Sequence, residues 1–356
     1  MSTLLIMAGG TGGHVFPALT VAENLRNRGI NVVWLGTKTG LEARSVPAAG
    51  FDIEWINIRG LRGKGLWNWV RMPFLLLAAM LQTVGVILRR RPVALLGMGG
   101  FVSAPGGLVA WLLRRPLLIH EANAVAGFTN RILARLASRV MSGFPDTFPK
   151  SIQAEYVGNP VRTTIARLPE PEMRFVGREA RLRLLIVGGS QGARVFNDLI
   201  PTALSELDPM PEVWHQTGLG NKAFVSTVYQ ELGFEVRVDE FIDDMSQAYG
   251  WADLVICRAG AMTVAEVSAA GVATIFVPFP FAINDHQTTN ARYLANLNAA
   301  ILILQQELTP EWLRATINRL TIHRPELVDL ARRARSLAMP DAAERVTDIC
   351  MEVLSA

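Results

Sequence analysis

The chain has 356 residues, half of them hydrophobic and 19% charged, and its 35 Lys+Arg against 31 Asp+Glu leave a formal net charge of +4. A single core stops growing at about 250–300 residues, so this length and apolar content exclude one ordinary domain and call for two, both folded. Two cysteines without a C-x-x-C pair and five scattered histidines exclude a disulfide framework and a structural zinc site, and an Arg-dominated balance with no basic stripe among aromatics argues against a nucleic-acid binder.

Residues 1–10 carry no basic leader or cleavage pattern, so the apolar run 4–8 reads as a first strand and the expected compartment is the cytoplasm. That run ends in Gly9-Gly10-Thr11-Gly12-Gly13-His14, which opens a helix. Similar runs at 32–35, 95–98, 117–119, 184–187, 254–256 and 274–277 are each followed by a helical pattern, the alternation of parallel α/β sheets. The stretch 73–88 is broken only by Gln82, Thr83 and Gly85, but with Arg71 and Pro73 at its start and βα units around it, it reads as a buried or surface-lying helix rather than a membrane span. Run 184–187 ends in a second glycine loop, Gly188-Gly189-Ser190-Gln191-Gly192-Ala193, where the chain starts over. With the turn-rich Gly158-Asn159-Pro160-Val161-Arg162 and the polar segment 170–181 before it, this places a linker at roughly 160–180 and two Rossmann-like domains, 1–160 and 161–356. Pro340 interrupts the last helical pattern and predicts a kinked C-terminal pair, its last helix free to pack back on the first domain.

Glycine loops between strand and helix let backbone N–H groups and the helix N-terminus approach an anion such as a diphosphate. Neither loop fits the dinucleotide fingerprint with an acidic residue about 20 positions on, and each is equally readable as a tight βα turn. Gly97-Met98-Gly99-Gly100 and His120-Glu121-Ala122-Asn123 follow strands and reach the same sheet edge, with His120 and Glu121 read as a structural hydrogen-bonded pair. In the second half, Ala261 to Thr263 open a helix with Glu266 on its first turn. Glu266 then either complements the helix dipole or accepts two ribose hydroxyls, and position alone leaves both open.

These motifs, together with Gly60-Leu61-Arg62-Gly63-Lys64-Gly65 and Asp285-His286-Gln287-Thr288-Thr289-Asn290-Ala291, resemble the MurG family of bacterial cell-wall glycosyltransferases nearly end to end. The resemblance implies two Rossmann-like domains facing a cleft (the GT-B fold), a UDP-N-acetylglucosamine donor, the lipid-linked muramyl-pentapeptide lipid I as acceptor, and lipid II as product of an inverting transfer. It assigns Thr11, Gly12, Gly13, Asn123, Arg162 and Ser190 to the donor sugar and diphosphate. Ile242 goes to the uracil, Ala261, Met262, Thr263, Val264, Ala265 and Glu266 to diphosphate and ribose, and Gln287 to sugar hydroxyls. Ala122, Phe281 and Asn284 depart from the family pattern, which thins the polar network expected around the sugar.

Transfer needs a base, and His14 at the tip of the first loop suits one because imidazole titrates near neutral pH; the alternative is that it caps the following helix. The chain has no D-x-D motif, so no metal and no cofactor are expected. Trp67, Trp69, Phe74, Leu75 and Leu76 beside Arg71, Arg89, Arg90 and Arg91 read as an apolar patch rimmed with positive charge, and predict peripheral contact with the cytoplasmic leaflet of the inner membrane. The resemblance would also connect the chain to the division and elongation machinery. Competing readings are a related glycolipid synthase with another acceptor, a dinucleotide enzyme and a non-catalytic nucleotide-sugar binder.

Overall fold

The structure, a computed structural model, describes residues 2–58, 66–178, 181–189, 192–282 and 285–356, with the backbone alone at 66–71. The chain divides into two compact units, residues 1–162 with 339–356, and residues 163–338. The first runs β1 (Thr3–Ala8), α1 (Gly12–Asn27), β2 (Asn31–Gly36), α2 (Glu42–Ala48), β3 (Asp52–Trp55), α3 (Leu66–Arg90), β4 (Ala94–Gly99), α4 (Ser103–Leu112), β5 (Leu117–Glu121), α5 (Phe128–Leu133), β6 (Arg139–Ser142) and β7 (Ala154–Tyr156). The second runs α6 (Thr163–Ala166), α7 (Pro171–Phe175), β8 (Arg183–Val187), α8 (Arg194–Leu204), β9 (Glu212–Gln216), α9 (Lys222–Glu231), β10 (Arg237–Asp239), α10 (Met245–Trp251), β11 (Leu254–Cys257), α11 (Ala261–Ala270), β12 (Ala273–Phe276), α12 (His286–Ala295), β13 (Ile301–Leu302), α13 (Pro310–Ile322) and α14 (Arg324–Ser336). The last helix, α15 (Ala342–Ser355), belongs to the first unit.

Both sheets are parallel, in the orders β3-β2-β1-β4-β5-β6-β7 and β10-β9-β8-β11-β12-β13, so the second repeats the first over all six of its strands. Helices cover both faces of such sheets, which is why the central strands are apolar without alternation. Leu4 to Ala8 and Leu254 to Cys257 are wholly buried, each large side chain contributing about 1.5–3 kcal/mol over exposure. The order reverses between β1 and β4 and between β8 and β11, and open α/β sheets bind ligands beyond the strand C-termini at such points. Each switch point has a glycine loop, after β1 and after β8.

Two expectations need correction. Much of the segment read as a linker belongs to the second unit: Arg174 of α7 is buried and donates to the carbonyls of Tyr249, Ala270 and Gly271. Burial, with Arg178 and Arg335 nearby, lowers its pKa to about 10. The kink expected at Pro340 is a full break, with α14 ending at Ser336 and α15 starting at Ala342. Val346, Ile349 and Cys350 of α15 then share a core with Val15, Leu19 and Ala22 of α1.

Candidate active site

The first glycine loop is built from both of its neighbours in the sheet. Trp34 on β2 donates its indole N–H to the carbonyl of Ala8 at 2.8 Å, fixing the end of β1. Strand β4 pairs with β1 in a register that shifts between Met7 and Ala8, bringing Gly99 opposite Ala8. A Cβ at Gly100 would lie 2.2 Å from the Gly9 carbonyl oxygen, so only glycine permits this approach. Gly10, at φ 91°, then turns the chain into α1. The carbonyl of Thr11 accepts from the N–H groups of His14 and Val15, so those of Gly12 and Gly13 are the helix-start donors without an intrahelical partner.

His14 is the third residue of α1, whose N-cap position is taken by Thr11. Its Nδ1 lies 3.3 Å from the Gly9 carbonyl and 3.4 Å from Thr11 Oγ1, and its ring lies over Gly99. His120 and Glu121 at the end of β5 are structural, but not as a mutual pair. His120 Nε2 donates to the carbonyl of Gly158 at 2.9 Å, and burial pulls its pKa below the usual 6.5. Glu121 instead folds the next loop, accepting from Asn123 backbone and side chain, from Gly127 N–H and from Asn130 Nδ2. Asn123 is thereby held at the C-terminal edge of the first sheet. Arg162 ends the first unit, close in sequence to Asn159, whose Nδ2 donates to the Ala122 carbonyl at 2.9 Å.

In the second unit α11 starts after β11 with Gly260 as its N-cap. Val264 N–H bonds to the Gly260 carbonyl, leaving the N–H groups of Ala261, Met262 and Thr263 as the orphan donors that favour an anion. Ala265 follows on the same helix. Glu266 is its sixth residue, a turn later than the sequence suggested, beyond the reach of a useful dipole interaction. Tyr249 donates to it at 3.2 Å. Gln287 on α12 accepts from Phe279 N–H at 2.9 Å and Ala259 N–H at 3.3 Å, tying together the loops after β11 and β12. Ile242, after β10, is buried, so its backbone rather than its side chain is what it can present there. Burial, with Glu266 nearby, pushes the Cys257 thiol up, and burial raises that of Cys350 to about 12; neither is a nucleophile at neutral pH.

Models of the glycosyltransferase family 28 N-terminal and C-terminal domains match residues 4–142 and 183–346. The protein named UDP-N-acetylglucosamine--N-acetylmuramyl-(pentapeptide) pyrophosphoryl-undecaprenol N-acetylglucosamine transferase from Nitrosococcus oceani is 53% identical over 99% of both chains. Its namesake from Alkalilimnicola ehrlichii is 52% identical over 98% of both. The chain belongs to glycosyltransferase family 28. The crystal structure of Acinetobacter baumannii MurG superposes with a TM-score of 0.86 at 40% identity, covering 99% of this chain and 100% of that one. The two-domain GT-B reading therefore stands, and the dinucleotide-enzyme alternative falls.

Two features of this family 28 chain were not legible in its sequence. Glu42, 32 residues from Gly10, accepts that residue's N–H at 2.9 Å. Gln216 on β9 takes the corresponding place in the second unit, accepting from Gly189 N–H at 3.0 Å and donating to the Gly189 carbonyl at 3.0 Å. The first glycine loop thus has a carboxylate behind it and the second a neutral amide, so an anion meets less repulsion at the second. Ser190, Asn284, the 60–65 motif and the side chains of Trp67, Trp69 and Arg71 lie outside the described residues. Among the described residues no group of three His, Cys, Asp or Glu side chains is placed to hold a metal.

Proposed function

We infer that this chain transfers N-acetylglucosamine from UDP-N-acetylglucosamine to the muramyl 4-hydroxyl of lipid I, giving lipid II and UDP with inversion at the anomeric carbon. The observation that carries the reading is full-length identity above 50% with enzymes bearing that name. The acceptor oxygen bonds to the anomeric carbon as the bond from that carbon to the UDP phosphate oxygen breaks, and His14 takes the hydroxyl proton. Charge growing on the diphosphate is met by the N–H groups of Ala261, Met262 and Thr263 and by Arg162. Glu266 accepts the ribose hydroxyls, the Ile242 backbone addresses uracil, and Gln287, Asn123 and Ser190 hold the sugar, with Thr11, Gly12 and Gly13 completing the donor contacts.

The acceptor carries a lipid, and helix α3 supports surface contact with the membrane that holds it. Among the described residues it is the one helix long and apolar enough to cross a bilayer. However, Ala79, Thr83, Val86 and Ile87 bury one of its faces in the first unit, while Phe74, Leu77, Leu81 and Leu88 are exposed on it. A helix held this way lies along the interface.

UDP release from UDP-N-acetylglucosamine, with and without a lipid I analogue, tests the reading. Acceptor-dependent release is expected in wild type, with kcat reduced about 10²–10⁴-fold in His14→Ala and weaker donor binding in Glu266→Ala. Release that ignores the acceptor would overturn it.

A further inference from the structure

The buried carboxylate of Glu42 has no part in the roles assigned above. It is the first residue of α2, wholly inside the first unit, and all three of its described partners are donors. Oε2 accepts from Gly10 N–H at 2.9 Å, and Oε1 accepts from Thr37 N–H at 3.0 Å and from the Thr37 hydroxyl at 2.7 Å. Three glycines clear its place. A Cβ at Gly9 would lie 2.8 Å from Oε1, one at Gly36 2.9 Å from Cγ, and one at Gly40 2.0 Å from Oε2.

Gly10 N–H and the Gly9 carbonyl are two ends of one peptide group. The carbonyl end faces His14 Nδ1 at 3.3 Å. A carboxylate on the N–H end polarises the peptide and makes its oxygen a stronger acceptor. A carbonyl can only accept, so the nitrogen facing it must carry the proton. Thr11 Oγ1, 3.4 Å from the same Nδ1, can donate or accept and does not select between tautomers. The peptide is also fixed sterically, between Glu42 on one side and Gly100 on the other.

We propose that Glu42 is a positioning residue that acts through the Gly9–Gly10 peptide to hold His14 as its Nδ1–H tautomer, the form whose lone pair is on Nε2. It is the base-and-orienter arrangement of a hydrolase triad with a peptide group inserted between carboxylate and imidazole. The proposal rests on the reading of His14 as the base.

Imidazole ¹⁵N shifts of the full chain, with the His14 signals identified by their loss in His14→Ala and the rings neutral, report the tautomer directly. Wild type is expected to show protonated Nδ1, and Glu42→Gln, isosteric and uncharged, a shift of population toward Nε2–H. In the same variant kcat for acceptor-dependent UDP release should fall at least ~10-fold with a smaller change in KM, against the ~10⁴-fold that a directly bonded carboxylate commands. Glu42→Asp, which keeps the charge, should recover part of the loss. Protonated Nε2 in wild type, or an unchanged tautomer in Glu42→Gln, would overturn the proposal. The wild-type spectrum settles the first of these even if the variant does not fold. Absence of acceptor-dependent release in wild type would instead defeat the transferase reading and leave the tautomer result standing.

Discussion

His215 lies on β9 inside the second unit, its Nδ1 3.1 Å from the Tyr229 hydroxyl, and burial pulls its pKa from 6.5 down to about 3. The unfolded chain therefore takes up a proton below pH 6.5 that the folded chain refuses until about pH 3. Stability that is complete above the unfolded value is lost as pH falls through this window, at up to about 1.4 kcal/mol per pH unit. His215→Gln keeps a hydrogen-bonding partner for Tyr229 and cannot titrate. Denaturation midpoints measured from about pH 7 to pH 4 should fall less steeply in that variant than in wild type. Equal slopes would mean that His215 is protonated within the fold. Neither His215 nor Glu42 stands out in the sequence, because what distinguishes each is a burial and a partner that only the fold supplies.

At the scale of elements, α3 and α4 pack together, and the exposed residues of α3 are joined by Trp111, Leu112 and Leu113 at the end of α4, followed by exposed Arg114 and Arg115. The basic rim read from the sequence changes accordingly. Arg89 and Arg90 are bound to Glu54 at 2.7 Å each, and Arg90 also to Asp52 at 3.1 Å, so much of their charge is answered within the unit. The apolar face should then carry most of the membrane affinity. Leu77→Glu with Leu81→Glu, both at exposed positions, should reduce sedimentation with anionic vesicles at least ~10-fold while leaving the melting temperature nearly unchanged. Binding abolished by salt in wild type and untouched by these substitutions would put the affinity in the arginines instead. Which elements could be read from sequence follows the same physics. The central strands announce themselves as unbroken apolar runs because both faces are covered. The short β7, β10 and β13 sit at sheet edges, need less apolar surface, and leave little pattern to detect.

For the molecule as a whole, both glycine loops and the start of α11 were legible because backbone-driven anion sites need small residues at a strand-to-helix turn. The braces behind the loops were not, since they come from 32 and 27 residues away. The division of the chain was only partly legible, because α15 returns to the first unit. A chain ending at Ala338 would uncover the α1 surface that Val346, Ile349 and Cys350 bury, at a cost of several kcal/mol. Hydrogen exchange should show α1 losing protection in that truncation while β8 and β11 keep theirs. Equal loss in both units would show that they unfold as one. The return of α15 also sets the order in which a ribosome can finish the parts. The unit whose synthesis begins first lacks part of its core until α15 emerges, whereas every residue of the other has by then been made. The half carrying His14 thus waits, incomplete, on the half that follows it.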